Sequence, residues 1–307
     1  MKRSIITLLA LTGLLVACIG QSENSVAQEE PALMTWGDLT GRTLPTPSST
    51  HSYGDDPAQV VDLWLPDGSG PHPVVLMIHG GCWQKAIADR TLMNYAAADL
   101  QQRGIAVWNI EYRGVDEVGG GYPGTFQDVR NATLKLLELG ASLNLNVDQI
   151  VAYGHSAGGH LAAWTAVQSR ISEGSEIGAL PDLPIEAVII SGGLADLEAS
   201  EPVTLETCLA NIRTELTGEP TESRPNVYSD TSVSELLPSS AMLISVNGER
   251  DRIAPPELGR ALTDKILAAG GTGQFVESPG AGHVELIAPG TPAFETQAEL
   301  IETYLSR

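Results

Sequence analysis

The chain has 307 residues, of which 42% are hydrophobic and 18% charged, with a formal net charge of -21. That apolar share excludes a disordered chain, and the length suffices for one large α/β domain or two modest ones. The acidity excludes nucleic acid as a natural partner, because a polyanion needs a basic face.

At the N-terminus Lys2 and Arg3 precede an apolar run over residues 5–16, too short to span a bilayer comfortably. The run ends in Leu15-Val16-Ala17-Cys18, which resembles the bacterial lipobox. Residues 1–17 therefore read as a lipoprotein-type signal peptide and Cys18 as the lipidated residue, with a plain secretory signal as the alternative. Residues 18–35, rich in Ser, Gln, Glu and Ala and without a hydrophobic period, read as a flexible tether, and residues 36–307 as the domain it carries. The expected location is the cell envelope, lipid-anchored on the periplasmic side or at the cell surface. Ile19, standing where an aspartate would favour inner-membrane retention, leans toward outer-membrane sorting.

Residues 59–65, QVVDLWL, alternate as a strand does, and residues 73–78, PVVLMI, form the short apolar run of a buried parallel strand. Helices and strands then take turns: helix 92–102, strand 105–112, helix 126–139, strand 149–153 and helix 157–169. Strands at 185–190 and 241–247, a helix at 257–269, a strand at 273–277 and a closing helix at 291–305 complete the series. Such alternation predicts an α/β fold, one mostly parallel sheet with helices on both faces. Residues 201–240 break the rhythm with scattered Pro, Thr, Glu and Ser, and read as an insertion over the C-terminal edge of the sheet.

The strand at 149–153 runs into Gly154-His155-Ser156-Ala157-Gly158, the Gly-x-Ser-x-Gly spacing of a nucleophile elbow. A serine nucleophile needs a base, usually a histidine held by a carboxylate. Of the six histidines, His155 shares the serine's own turn and His160 lies one turn into the following helix. His51 and His72 precede the core strands and His79 belongs to another motif, which leaves His283 in PGAGHVEL, a loop after the last strand. The acid should fall between serine and histidine in chain order, after a strand. Asp251 in NGERDRIAPP fits, with Glu249 as the fallback. MIHGGCW, directly after a buried strand, supplies an oxyanion site from the backbone at Gly80, Gly81 and Cys82, completed by the N–H of Ala157. The flanking side chains His79, Trp83 and His155 are expected to bind substrate. No metal-ligand spacing occurs, and no cofactor is expected.

From about residue 53 to the end the chain resembles the α/β-hydrolase superfamily in its carboxylesterase branch, through HGGCW, GHSAGGHLA, GERDRIAP and GAGHVEL in that order. Within the branch it is similar to the esterase and kynurenine-formamidase-like group, on HGGCW, Tyr112-Arg113, Tyr122-Pro123-Gly124 and SGGLADL. It departs from the hormone-sensitive-lipase-like pattern, where a third glycine stands at Cys82 and an acidic residue at His155. The resemblance implies a serine hydrolase that cleaves small-molecule carboxylic esters, of the small, aryl or acetyl kind, through an acyl-enzyme. A formamidase or amidase is the first alternative, and a non-catalytic envelope binding protein on the same fold the second. Outside the signal only Cys82 and Cys208 remain, and in an oxidising compartment they either pair or stay two buried thiols. Paired, they would fasten the insertion beside the pocket.

Overall fold

A computed structural model describes residues 31–204 and 206–306. The signal segment, Cys18 and most of the tether lie outside the described residues. Ala32–Arg307 forms one compact unit.

The helices are α1 (Trp36–Thr40), α2 (Asn94–Gln102), α3 (Gly124–Leu139), α4 (Ala157–Thr165), α5 (Leu197–Ser200), α6 (Asn211–Thr217), α7 (Pro256–Ala268) and α8 (Pro292–Leu305). The strands are β1 (Ser49–Ser52), β2 (Val60–Trp64), β3 (His72–Ile78), β4 (Ala106–Ile110), β5 (Leu145–His155), β6 (Ile185–Ser191), β7 (Met242–Gly248) and β8 (Gly273–Ser278). They form one sheet in the order β1-β2-β4-β3-β5-β6-β7-β8, antiparallel between β1, β2 and β4 and parallel from there on. This is the mostly parallel sheet that the alternating pattern anticipates, in the α/β-hydrolase architecture that the resemblance implies.

Alternation of side chains along each strand divides the core. Val74, Leu76 and Ile78 of β3 belong to the layer that holds Phe126 of α3, Leu161 of α4 and Ile266 of α7, whereas Val75 and Met77 belong to the layer of Leu100 of α2 and Phe294 of α8. Both faces being covered, the central strands read as unbroken apolar runs rather than alternating ones.

Three features depart from expectation. Helix α1 and strand β1, five and four residues long, carry too few residues for a periodic signal. The domain also begins earlier than residue 36, because Thr35 caps α1 in a capping box with Asp38 and the Met34 N–H bonds the Glu285 carboxylate. The insertion is ordered rather than irregular: a kinked turn over Glu206–Ala210 leads into α6. Its later part is pinned to α4, with Trp164 Nε1–H donating to the Asp230 carbonyl at 2.9 Å and His160 Nε2–H to the Thr231 carbonyl at 2.7 Å.

Candidate active site

At the C-terminal edge of the sheet β5 ends in His155 and α4 starts at Ala157, so the chain must reverse within one residue. That residue is Ser156, with φ 56 and ψ -121. A side chain in this region costs about 1–3 kcal/mol, so neighbours must enforce it. They do so by proximity: a Cβ on Gly158 would stand 2.2 Å from the Ile78 carbonyl oxygen, and one on Gly154 would stand 2.0 Å from that of Gly158. Only glycines let β3, β5 and α4 approach this closely. The Ser156 N–H donates to Ser191 of β6 at 2.9 Å, which fixes the turn against the sheet.

Two loops meet this turn. The one after β7 carries Asp251, whose Oδ1 accepts the N–H groups of Ile253 at 2.8 Å and Ala254 at 2.9 Å. Its Oδ2 faces His283 Nδ1 at 2.6 Å, from the loop after β8. The carboxylate is thus oriented by its own backbone before it meets the imidazole, and both side chains are buried. Glu249 instead accepts the Gly280 N–H at 2.7 Å, closing the histidine loop from outside. Of the two carboxylates only Asp251 bonds the histidine ring. Ser156 Oγ and His283 Nε2 each lack a hydrogen-bond partner among the described residues. In serine sites that bond commonly tightens only with substrate in place.

The glycine loop lies across the serine turn: a Cβ on Gly80 would be 3.0 Å from the Ser156 Cβ. The glycine loop and the start of α4 at Ala157 are therefore neighbours, and the helix N-terminus favours negative charge there. Gly81, Cys82 and Trp83 follow with φ 106, 51 and 55, three successive residues in the left-handed region. Cys82 is tied to Cys208 of the insertion by a disulfide with a Cα–Cα separation of 5.0 Å.

The three side chains expected to bind substrate do not face the open site. His79 lies beneath the loop, stacked on Tyr112, with Nδ1 2.7 Å from the Gly80 carbonyl oxygen and Nε2 2.9 Å from Glu111 Oε1. Trp83 is fully buried, and its indole N–H donates to His160 Nδ1 at 3.2 Å. His155 is buried beside His283, the two ring centroids 4.3 Å apart, and its Nε2–H donates to the His283 carbonyl at 3.1 Å. Burial first, and then the charge His283 would carry, push the His155 pKa well below the ordinary histidine value, so it is a neutral support. Burial likewise holds His160 down at about 4.

Glu111 was not singled out in the sequence. Burial alone would raise its pKa, but His79 and Lys85 outweigh that and hold it at about 2. Its Oε2 lies 2.7 Å from Lys85 Nζ and 3.4 Å from Arg90 Nη1, and Arg90 continues to Asp62 at 2.7 Å. This ionic cluster underpins the glycine loop from His79 to Arg90. A glutamate ending the apolar run AVWNIE was the available signal, since a charge at the end of a buried strand demands partners. Trp36, the first residue of the domain as read from the sequence and given no role there, lies edge-on to His283 and His155 with ring centroids 6.1 Å from each.

A doubly covered, mostly parallel sheet with a strained serine turn and a buried Asp-His pair at its C-terminal edge defines an α/β-hydrolase-fold protein. The BD-FAE family model matches residues 61–266, and the chain belongs to that family. Among curated proteins it is 27% identical over 252 residues to Esterase LipC of Mycobacterium tuberculosis, a match covering 75% of this chain and 58% of that protein. The chain thus spans little more than half the length of this relative. Among solved structures, Esterase B of Lactobacillus rhamnosis superposes with a TM-score of 0.71 at 21% identity, over 85% of this chain and 87% of that one. A truncated carbohydrate esterase from gut microbiota superposes with a TM-score of 0.67 at 21% identity, covering 85% and 98% respectively.

Proposed function

We propose that this protein is a serine carboxylesterase of the cell envelope, held at a membrane through a lipid on Cys18. The observation that carries the reading is the 2.6 Å contact of the anchored Asp251 carboxylate with His283, set beside a serine held at positive φ. Ser156 Oγ attacks the ester carbonyl carbon while His283 Nε2 takes its proton. Asp251 keeps the other ring proton on Nδ1 and stabilises the imidazolium. Backbone N–H groups of the glycine loop and Ala157 receive the charge that develops on the carbonyl oxygen. Removal of one such donor typically costs about 3 kcal/mol of barrier. His283 then protonates the departing alkoxide, the C–O bond breaks, and water admitted by the same base hydrolyses the acyl-Ser156 ester. Esterase names among the relatives agree with this chemistry.

The test is turnover of para-nitrophenyl acetate by the domain from Ala32 onward, and its abolition in Ser156→Ala. A folded domain without turnover on any activated ester would sink the proposal, as would a fluorophosphonate adduct on a residue other than Ser156. Assay of N-formyl aromatic amides on the same preparation separates esterase from amidase action, with the ester expected to be faster. For the anchor, the mature N-terminal peptide should begin at Cys18 and carry the mass of a diacylglycerol.

A further inference from the structure

We propose that the cleft between α1 and the loop following the oxyanion glycines is the subsite for the alcohol part of the ester. Trp36 is its specificity-determining residue, and apolar alcohols, aryl-bearing above all, are its ligand class. The inference rests on the esterase reading above and deepens it.

The chain has five tryptophans; Trp64, Trp83, Trp108 and Trp164 are buried, while Trp36 is 39% exposed. Exposure here is not looseness. Its helix is capped by Thr35, Leu39 is buried beneath it, and Arg42 Nη1 donates to the Pro289 carbonyl at 3.0 Å. The indole is therefore fixed to the loop that carries His283, with one edge on that ring and one side open. One turn further along α1, Thr40 lies on the same face as Trp36 and lines a cleft of about 410 Å³ with Leu44, Ile87, Ala88, Leu92 and Tyr95. One wall of the cleft packs on the glycine loop, because a Cβ on Gly81 would stand 2.8 Å from that of Ala88. Leu44 and Ile87, 49% and 52% exposed, leave apolar surface open at its outer end. The charged side chains there neutralise each other: Lys85 lies 3.4 Å from Asp89 and 2.7 Å from Glu111.

Chemistry decides which half of the substrate enters. His283 must give its proton to the leaving oxygen, so that oxygen sits at Nε2 and its substituent passes the indole packed on the same imidazole. The acyl group, pointing away from both the base and the oxyanion donors, takes another direction.

The experiment compares methyl acetate with benzyl acetate, which share the acyl group and release alkoxides of similar basicity, so that the ratio of kcat/KM reads the alcohol subsite. Wild type should prefer the benzyl ester. Trp36→Ala should lower the benzyl-to-methyl ratio about tenfold, the size of one ring-to-ring contact, and Trp36→Phe should restore most of it. Leu267→Ala, on the exposed side of α7, should leave the ratio as it is. An unchanged ratio in Trp36→Ala, or an equal fall for both esters, overturns the proposal, the latter because Trp36 would then only brace His283. A second readout needs no turnover. In Ser156→Ala, acrylamide reaches Trp36 alone among the tryptophans, and benzyl acetate should shield it where methyl acetate at the same concentration does not. Absence of ester turnover in wild type together with shielding would refute the esterase reading and keep the cleft. Turnover without shielding would do the reverse.

Discussion

Replacing Asp251 by asparagine is the most informative single change, because the structure dictates what the new amide must do. The amide would keep its oxygen on the N–H groups of Ile253 and Ala254, which Asp251 Oδ1 accepts at 2.8 and 2.9 Å. Its NH2 would then occupy the Oδ2 position, 2.6 Å from His283 Nδ1, as a donor facing what is now a donor. The imidazole must move its proton to Nε2, and in that tautomer it cannot accept the proton of Ser156. A triad aspartate exchanged in this way loses about 10⁴ in kcat, equal to about 5.5 kcal/mol of barrier. Folding should change little, by about 1 kcal/mol, since shape and the two backbone bonds survive. The assay is kcat on para-nitrophenyl acetate beside a thermal melt, with Glu249→Gln in parallel. Glutamine can still accept from Gly280 and should stay within about threefold of wild type. Asp251→Asn retaining a tenth of the activity, or Glu249→Gln losing as much as Asp251→Asn, would refute the assignment of the acid.

Gly158→Ala should destabilise the domain by about 3 kcal/mol or prevent its folding, because the added carbon meets the Ile78 and His79 carbonyl oxygens at 2.2 and 2.3 Å; a melting temperature equal to wild type would contradict the packing described. Glu111→Gln should cost about 3 kcal/mol at neutral pH, the linkage equivalent of a carboxyl lowered from 4.5 to about 2. A group lowered on folding contributes fully above its unfolded value and loses that contribution as pH falls, so the gap in urea stability should close between pH 4.5 and about 2; a constant gap there would exclude Glu111 as its source. Non-reducing peptide mass spectrometry of exported protein should recover Cys82 linked to Cys208, and opening this 126-residue separation should cost about 5 kcal/mol by loop entropy. Reduction should blunt discrimination between substrates before the domain unfolds, and two free thiols on active exported protein would contradict the bridge.

The main chain of the site was legible because its signals are local. A serine between glycines at the end of an apolar strand fixes a turn, and chain order then points to Asp251 and His283, which the structure brings into contact. The direction of side chains around that turn was not legible. His79, Trp83 and His155 flank the expected oxyanion and serine residues, and sequence proximity suggests a common pocket. Whether each points inward depends on partners far along the chain: Glu111 for His79, His160 for Trp83, the His283 carbonyl for His155. Trp36 failed the opposite way. A lone aromatic after a polar stretch carries no periodic signal, and its contact with His283 spans almost the entire chain. Of the two cysteines, only compartment and a shared sheet edge could be argued, whereas a bridge needs the Cα separation of 5.0 Å that folding supplies.

These burials have one physical reason. In the proposed mechanism the glycine loop works through backbone N–H groups, so its side chains are free to hold the backbone in place. Gly81 reaches its φ of 106 at no steric cost, but Cys82 at 51 and Trp83 at 55 each store about 1–3 kcal/mol. Such strain relaxes unless something over-determines it. Cys82 is held covalently to the insertion, and Trp83 by its bond to His160, which in turn bonds Thr231 of the same insertion. The Trp83 carbonyl accepts the Val115 N–H at 2.8 Å from the loop after β4. His79 and the Glu111 cluster close the other side. On the proposed mechanism the insertion therefore supports the oxyanion donors although none of its residues need touch the oxyanion, and damage to its contacts with Cys82 or His160 should appear as lost kcat before lost binding.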